Sequence, residues 1–193
     1  MDLVGKSSLM SLLAIVLCVY ILFNAILAIP FMIRARREFE RQGKWTPATA
    51  SWSGVVMHGQ ALATLALAIV DRGSLWPVTA VSLAAGGLLL VAGAGVIAAG
   101  RIAYGSQKRV YGLLEDRLIE GGIYRFSRNP QYVGYAAMFF GAAAAAGSIL
   151  ALTSSALFAL IIHVFITRVE EPHLDRVFAA AYADYRARIR RYL

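Results

Sequence analysis

Two short polar pieces of this sequence carry the residue types that binding and catalysis need, and both border long apolar runs. The first is the stretch 121–134, which reads GGIYRFSRNPQYVG, and the second is the acidic pair Glu170 and Glu171. Glycines give the first piece backbone freedom, and Asn129 followed by Pro130 forces a turn where an apolar run begins. Backbone amides, two tyrosines and a carboxylate could hold an adenine, a ribose and a positively charged group. We therefore expect the two pieces to meet in one cofactor site.

The composition indicates an integral membrane protein. Of the 193 residues, 59% are hydrophobic and 16% are charged, whereas a soluble domain carries about a quarter of charged residues. The net charge of +8 lies in loops beside apolar runs, so it predicts contact with lipid headgroups, not nucleic acid. The single Cys18 excludes a disulfide framework. The three histidines lack the three- or four-residue spacing typical of a metal site, and we expect no metal.

The apolar runs predict an all-α membrane bundle of five transmembrane helices. The last run holds about 35 residues, and a single straight helix of that length would measure about 50 Å, well beyond a bilayer. Small and polar residues interrupt this run at Gly147 and Ser148 and at the stretch 153–155. We therefore predict two short helices there, joined by a tight hairpin. A long polar segment, 101–131, separates the third and fourth helices. The runs are 9–33, 52–70, 75–99 and 132–166.

The distribution of Lys and Arg predicts the orientation in the membrane. Basic residues cluster in 34–51, in 101–132 and in the tail, whereas the opposite side has only Lys6 and Arg72. The positive-inside rule then places the N-terminus outside and the polar loops and C-terminus in the cytoplasm. From Pro172 onward the tail has one apolar stripe, which predicts an amphipathic helix. This helix could lie on the membrane surface or cap the polar loop.

Glycines repeat within the third apolar run. Gly86, Gly93 and Gly100 recur every seven residues, which favours a smooth face for close helix packing. The stretch 93–98 matches the dinucleotide pattern G-x-G-x-x-A, but it lies inside an apolar run and has no strand before it. We therefore interpret these glycines as packing residues.

Polar side chains also occur inside the predicted spans. Asn24, His58, Gln60 and His163 all fall in the cytoplasmic half, which predicts a polar cavity beside the loops; the alternative is local hydrogen bonding between helices. Because His163 and Glu170 are seven residues apart, a continuous helix would place both on nearly one face.

On these residues the sequence resembles the superfamily of isoprenylcysteine carboxyl methyltransferases and phospholipid methyltransferases, over about 100–193. The family pattern is roughly L-[IV]-x-x-G-x-Y-x-x-x-R-[HN]-P-x-Y-x-G, followed by E-E-x-x-L-x-x-x-F-G-x-x-Y-x-x-Y. Here the first half reads Leu118, Ile119, Gly122, Tyr124, Arg128, Asn129, Pro130, Tyr132 and Gly134. The second half reads Glu170, Glu171, Leu174, Phe178, Tyr182 and Tyr185. Asn129 stands where many members have histidine, and Ala179 replaces the glycine that follows the phenylalanine.

The resemblance implies that S-adenosylmethionine binds at the cytoplasmic face and leaves as S-adenosylhomocysteine. It implies one domain over 1–193, with a three-span part (1–100) and a cofactor-binding part (101–193). The acceptor would be a lipid or a lipidated molecule from the bilayer. The cofactor pocket would be formed by Leu118, Ile119, Gly122, Tyr124, Arg128, Asn129, Pro130, Gln131, Tyr132 and Glu170.

The acceptor is left open by the sequence. Our first hypothesis is the amine headgroup of a phospholipid such as phosphatidylethanolamine, with Glu170 or Glu171 as the base that removes its proton. The alternative is the carboxylate of a prenylated cysteine, and Arg168 is our candidate for orienting an acidic group. A different class altogether would be a non-enzymatic multi-span transport or assembly protein. Nothing in the sequence indicates the oligomeric state.

Overall fold

The protein is described by a computed structural model that covers residues 3–114 and 116–192, with side chains from Ser8 onward. Helices account for 81% of the chain, and the described residues form no strand, which confirms the all-α prediction. The helices are α1 (Leu3–Gln42), α2 (Pro47–Val70), α3 (Ala80–Tyr104), α4 (Gln107–Val110), a 3₁₀ turn (Gly122–Arg125), α5 (Pro130–Ala146), α6 (Ile149–Phe165), a π-helical segment (Ile166–Glu170) and α7 (Glu171–Arg188).

The apolar helices make this a multi-pass membrane protein. Among the described residues, 4 helices are long and apolar enough to cross a bilayer. Helix α5 has only 17 residues, slightly less than the roughly 20 that a spanning helix needs, so the five-span topology stays a prediction. The four helical ranges are Ser8–Gln42, Pro47–Val70, Ala80–Tyr104 and Ile149–Arg188.

The connections between helices lie at two ends of the bundle. We call the end formed by residues 71–79 and 146–150 the turn end. Here the Gly73 N–H donates to the Ala146 carbonyl and the Leu75 N–H to the Gly147 carbonyl, both at 2.8 Å. The tight hairpin between α5 and α6 at Gly147 is therefore confirmed. The opposite end, formed by residues 39–46, 101–114, 116–132 and 163–192, is the loop end, and it contains the predicted site.

The glycine face of α3 packs directly against α5. A Cβ atom on Gly93 would lie 2.5 Å from the carbonyl oxygen of Gly134, and one on Gly86 would lie 2.5 Å from that of Gly141. Only residues without side chains permit two helices to approach so closely. The packing interpretation of these glycines is confirmed, and the α3–α5 contact fixes the start of α5 at the loop end.

Two helix boundaries differ from the sequence-based expectation because capping residues decide them. Helix α3 begins at Ala80 instead of residue 75, since the Thr79 hydroxyl accepts a hydrogen bond from the Ser82 N–H. Helix α2 begins at Pro47 instead of residue 52, since the Thr46 hydroxyl caps it. Threonine at the cap and proline in the first turn both favour helix initiation.

The last long helix changes its geometry at the loop end. Helix α6 passes without a break into the π-helical segment Ile166–Glu170 and then into α7. A π-helical turn accommodates an extra residue, so it rotates everything that follows and often occurs at functional sites. A second irregularity lies in α7, where Ala179 has a φ of 43° and a ψ of −116°. The two acidic residues therefore stand where the helix is locally distorted.

Candidate functional site

The loop before α5 folds into a tight turn that leads directly into this helix. Gly122 has a φ of +61°, in the left-handed region that favours glycine, and it opens the 3₁₀ turn that buries the Tyr124 side chain. Asn129 is the cap of α5, and Pro130 occupies the first turn, where a missing N–H costs nothing. The glycine and the proline of the motif thus shape the backbone that presents Tyr124 and Asn129.

Helix α7 and the tail after it close over this turn. The Tyr185 hydroxyl donates to the carbonyl oxygen of Tyr124 at 2.7 Å. Farther along, the Asn129 side-chain amide donates to the carbonyl oxygen of Arg191 at 3.1 Å. Of the two positions that the sequence left open for this amphipathic helix, these contacts favour the one that caps the polar loop.

Glu171 joins the two motifs through a buried ion pair. Its Oε1 lies 3.0 Å from Arg128 Nη1, and the two side chains are only 10% and 7% exposed. The carboxylate also accepts two hydrogen bonds from Arg191, from Nε to Oε1 at 3.0 Å and from Nη2 to Oε2 at 2.9 Å. Arg128 also donates to the Tyr182 hydroxyl at 3.1 Å. Both oxygens of Glu171 are therefore occupied, and its role in this structure is to hold loop and tail together.

Glu170 has the opposite environment. Its Oε2 atom is buried and has no hydrogen-bond partner among the described residues, while the Tyr132 hydroxyl interacts with the carboxylate. A buried carboxylate oxygen without a partner is costly, and in native proteins such atoms usually serve a ligand or a reaction. The neighbouring acidic residues thus differ: Glu171 is engaged by protein groups and Glu170 is available.

Two cavities lie on either side of Glu170. The larger one, within the helical bundle, holds about 1190 Å³ of space, part of it open to solvent. The smaller one, between the loop and α7, holds about 530 Å³ counted in the same way. The residues that line both cavities, and so form a shared wall, are Tyr104, Tyr124, Arg128, Asn129 and Glu170.

The smaller cavity is bordered by both sequence motifs. Leu118 and Ile119 line it from the loop, and Phe178 and Tyr182 line it from α7. Aromatic and branched apolar side chains offer flat surfaces to a planar ring, and Glu170 adds a buried carboxyl group. This combination can hold an aromatic base together with a positively charged group.

The larger cavity is mostly apolar and reaches into the bundle. Its polar residues include Asn24, His58 and Gln60, so three of the four residues from which a polar cavity was expected line this one, although most of its lining is apolar. Asn24 also donates to Gln60 at 3.2 Å, which means that the alternative, hydrogen bonding between helices, holds for this pair as well. His163 lies elsewhere: it is exposed, and its Nδ1 is 2.8 Å from the Tyr192 hydroxyl.

The expected alignment of His163 with Glu170 is wrong. His163 lines neither cavity, whereas Glu170 lines both. The π-helical segment between them provides the reason, because its extra residue per turn breaks the regular seven-residue alignment of a continuous helix.

Arg109 stabilises the loop beside Tyr104 through an ion pair and a hydrogen bond. Arg109 donates from two guanidinium nitrogens to the two Asp116 carboxylate oxygens, each at 2.6 Å. These hydrogen bonds hold the pKa of Asp116 at about 2. Arg109 also donates to the Tyr104 carbonyl oxygen at 3.1 Å.

Burial raises the pKa of the Tyr124 phenol above its ordinary value, so this side chain keeps its proton at neutral pH.

The structure brings nearly all of the predicted site residues to the cavities. Leu118, Ile119 and Glu171 line the smaller one, Gln131 and Tyr132 the larger, and Tyr124, Arg128, Asn129 and Glu170 line both. Gly122 and Pro130 line neither and act through the backbone. Arg168 is exposed and also lines neither cavity; its predicted role in orienting an acidic group stays a prediction.

Several residues at the site were not predicted from the sequence. Arg191 clamps Glu171, and Arg101 lines the larger cavity, yet both had been interpreted only as basic residues that orient the chain. Tyr182 and Tyr185 belong to the quoted second motif, so the pattern itself could have indicated them. Among residues 3–114 and 116–192, no three His, Cys, Asp or Glu residues are grouped as metal ligands would be.

Comparison with known proteins identifies one family. The model of the phospholipid methyltransferase family matches residues 81–181, which is more than half of the chain and includes the first motif and the second as far as Phe178. No curated protein and no solved structure gives a significant match.

Proposed function

Because the chain belongs to the phospholipid methyltransferase family, we propose that it transfers the methyl group of S-adenosylmethionine to the amine headgroup of a phospholipid such as phosphatidylethanolamine. Family membership makes it a membrane methyltransferase with a lipid acceptor. The identity of the donor, the identity of the acceptor and the residues that act are our proposal. The observation that carries it is the unpaired carboxylate of Glu170 in the wall between two cavities.

The donor site in this proposal is the smaller cavity. S-adenosylmethionine supplies a methyl group on a sulfonium and leaves as S-adenosylhomocysteine. Its adenine would lie against Leu118, Ile119 and the aromatic residues of α7, while its positive charge would face Glu170. The buried oxygen of Glu170 fits this donor, because a cation is the partner that such an atom lacks.

The acceptor site in this proposal is the larger cavity. Its apolar lining suits acyl chains that enter from the bilayer, and its charged residues, Arg101, Arg128 and Glu170, lie at the loop end, where a headgroup would be held. Donor and acceptor would meet at the shared wall, so that the reacting nitrogen and the methyl group could align. Alignment alone can provide much of the rate of such a displacement.

A proton must also leave the acceptor, since a protonated amine has no lone pair for attack. In the reaction a carbon–nitrogen bond forms, the carbon–sulfur bond breaks, and the amine loses a proton. Glu170 lines both cavities and has a carboxylate oxygen free to accept that proton. Glu171 has no part in this step because Arg128 and Arg191 occupy it. Arg168, which is exposed and lines neither cavity, is not assigned to this step.

We further propose that the chain forms a single domain with five spans, α5 being a short one, and with its N-terminus outside. The loop end, which contains the basic segments, would then face the cytoplasm, where the water-soluble donor is found. The turn end would face the other side.

Methyl incorporation from labelled S-adenosylmethionine tests the function. Purified protein in detergent is given phosphatidylethanolamine and, in parallel, a farnesylcysteine analogue. We expect label in phosphatidylethanolamine, a loss of about hundredfold in Glu170→Gln and little change in Glu120→Gln, whose side chain pairs with Arg188 at the surface.

The other outcomes separate the alternatives. Label in farnesylcysteine only would replace the amine acceptor by a carboxylate. Absence of donor binding, measured by calorimetry with S-adenosylhomocysteine, would remove the enzyme function and favour a transport or assembly protein.

A further inference from the structure

We propose that Arg101 is the anion anchor of the acceptor site, and that its guanidinium group binds the phosphodiester next to the amine of a phospholipid headgroup. The inference rests on the proposed function, because it names a contact of the acceptor in the larger cavity. Arg101 belongs to neither sequence motif; it lies near the end of α3.

The position of Arg101 is fixed by the close contact of α3 with α5. The preceding residue, Gly100, packs so tightly that a Cβ atom there would lie 2.5 Å from Gln131 Cγ. Arg101 therefore stands level with the first turn of α5, and its side chain lines the larger cavity together with Tyr111 and Tyr135. This is the loop end of the cavity, where a headgroup would be placed.

The guanidinium group of Arg101 has N–H donors that are available to a ligand. Its Nε atom is buried and has no hydrogen-bond partner in the described part of the chain. Its Nη2 donates to the Tyr111 hydroxyl over 3.4 Å, which is long for a hydrogen bond. Within the same residues, no carboxylate forms an ion pair with it. A partly buried cation without an anionic partner is costly unless a ligand supplies one.

A count of charges at the larger cavity supports an anionic partner. The charged residues that line it are Arg101, Arg128 and Glu170. Arg128 pairs with Glu171 at 3.0 Å, and Arg191, which shares this carboxylate, is 35% exposed to water. In the proposed function Glu170 faces the positive charge of the donor, so Arg101 is the cation of this cavity that lacks a counter-charge. The phosphodiester of a phospholipid headgroup carries one negative charge and can supply it.

The chemistry of arginine suits this partner. Its planar fork donates two parallel hydrogen bonds to a phosphate, whereas lysine offers only a point charge. Arg101→Gln removes both the fork and the charge, and Arg101→Lys removes the fork alone. Arg101→Gln should therefore weaken phospholipid binding more than Arg101→Lys does.

The test compares Michaelis constants for the two substrates in the full-length protein. We expect Arg101→Gln to raise KM for phosphatidylethanolamine about tenfold or more, Arg101→Lys to raise it less, and KM for S-adenosylmethionine to stay within about twofold in both. Arg41→Gln, a change at an exposed arginine of the loop end, should leave both constants unchanged. Thermal unfolding in detergent shows whether each variant is folded.

A competition experiment tests the contact with the phosphodiester separately. Soluble glycerophosphoethanolamine should compete with the lipid in the wild type and lose this effect in Arg101→Gln, whereas ethanolamine, which has no phosphate, should compete weakly in both. A merely structural role of Arg101 would not produce this difference.

Three results would overturn the inference: a rise in the donor KM instead of the lipid KM, unchanged constants in a folded Arg101→Gln, or label in farnesylcysteine alone. Failure of the proposed function has a different signature, since the wild type would then transfer no methyl group to any lipid.

Discussion

The two ends of the helical bundle differ in whether their buried polar groups have hydrogen-bond partners. At the turn end, the Asp71 Oδ2 atom accepts hydrogen bonds from the Ser74 hydroxyl, the Ser148 hydroxyl and the Leu150 N–H, at 2.7, 2.7 and 2.9 Å. At the loop end lie the buried side-chain atoms that have no partner among the described residues. They are Trp45 Nε1, Arg101 Nε, Arg128 Nε, Glu170 Oε2 and both ring nitrogens of His173.

This difference separates a structural end from a ligand-binding end. A satisfied cluster such as the one around Asp71 adds stability, whereas an unpaired buried donor or acceptor costs it. Proteins retain such atoms mainly where a ligand completes them. Substitutions at the turn end should therefore reduce stability and leave substrate affinity unchanged. Substitutions at the unpaired atoms of the loop end should instead reduce substrate affinity and leave stability unchanged.

The largest effect on stability is expected at Gly147, in the hairpin of the turn end. Its φ of +60° is unfavourable for alanine, and a Cβ atom there would overlap the carbonyl oxygen of Trp76. Strain and overpacking together predict that Gly147→Ala lowers the free energy of unfolding by about 4 kcal/mol. Denaturant titration in detergent, followed by circular dichroism, measures the loss.

Gly73 provides the matched control at the same end. It also has a positive φ, +79°, but no atom lies within 4 Å of a Cβ built there. Gly73→Ala should therefore cost only the backbone strain, about 1 kcal/mol. Equal losses in the two variants would show that the contact with Trp76 contributes nothing.

The next largest effect tests the contrast between the two acidic neighbours. Glu171→Gln leaves the buried Arg128 without its counter-charge and removes the clamp on Arg191, so we expect a loss of about 3 kcal/mol in stability. Glu170→Gln removes an unpaired charge and should leave the unfolding midpoint unchanged or higher, while donor binding falls. Thermal unfolding and calorimetry on both variants check this. A similar loss of stability in both would contradict the division of roles.

Much of this contrast could be predicted from the sequence, because local patterns determine it. Apolar runs predicted the helical bundle, the length of the last run predicted the hairpin, and the seven-residue spacing of glycines predicted close packing of α3 against another helix. The motif around Asn129 was placed correctly at the cavities because glycine and proline fix the backbone locally. The family pattern covers these same residues.

The division of labour between Glu170 and Glu171 could not be predicted, because it depends on contacts across the chain. The π-helical segment that turns Glu170 toward the cavities leaves no mark in residue spacing. Arg191 reaches Glu171 only because α7 and the tail fold back over the loop. Arg101 was indistinguishable from the other basic residues, since only the packed structure shows that its Nε atom lacks a partner.

A smaller effect is expected from Asp71 at the turn end. Asp71→Ala leaves the Ser148 hydroxyl and the Leu150 N–H without their acceptor, at a cost of about 2 kcal/mol. Burial by itself would raise the pKa of Asp71, but hydrogen bonds from Leu150, Ser148 and Ser74 outweigh it and lower that pKa. The stabilisation is therefore present above the pKa of an unfolded aspartate, about 4, and is lost as the pH falls through the lower folded value.

Unfolding midpoints measured between pH 7 and pH 3 check the Asp71 prediction. The midpoint of the wild type should fall more steeply below about pH 4 than that of Asp71→Ala. Parallel curves would mean that Asp71 has no part in the acid sensitivity. The Michaelis constants at neutral pH should not change, in keeping with the structural role of the turn end.

The smallest effect concerns Ala179 in α7, where the loop end carries strain instead of an unpaired atom. Its φ of 43° and ψ of −116° are unusual for alanine, and the family pattern has glycine at this position. Relief of strain worth about 1–3 kcal/mol, less the entropy that glycine loses, predicts that Ala179→Gly gains about 1 kcal/mol. Ala180→Gly, one residue along the helix, should instead lose about 1 kcal/mol, as glycine does in a regular helix. Unfolding midpoints with the same sign in both variants would show that the kink at Ala179 is not strained.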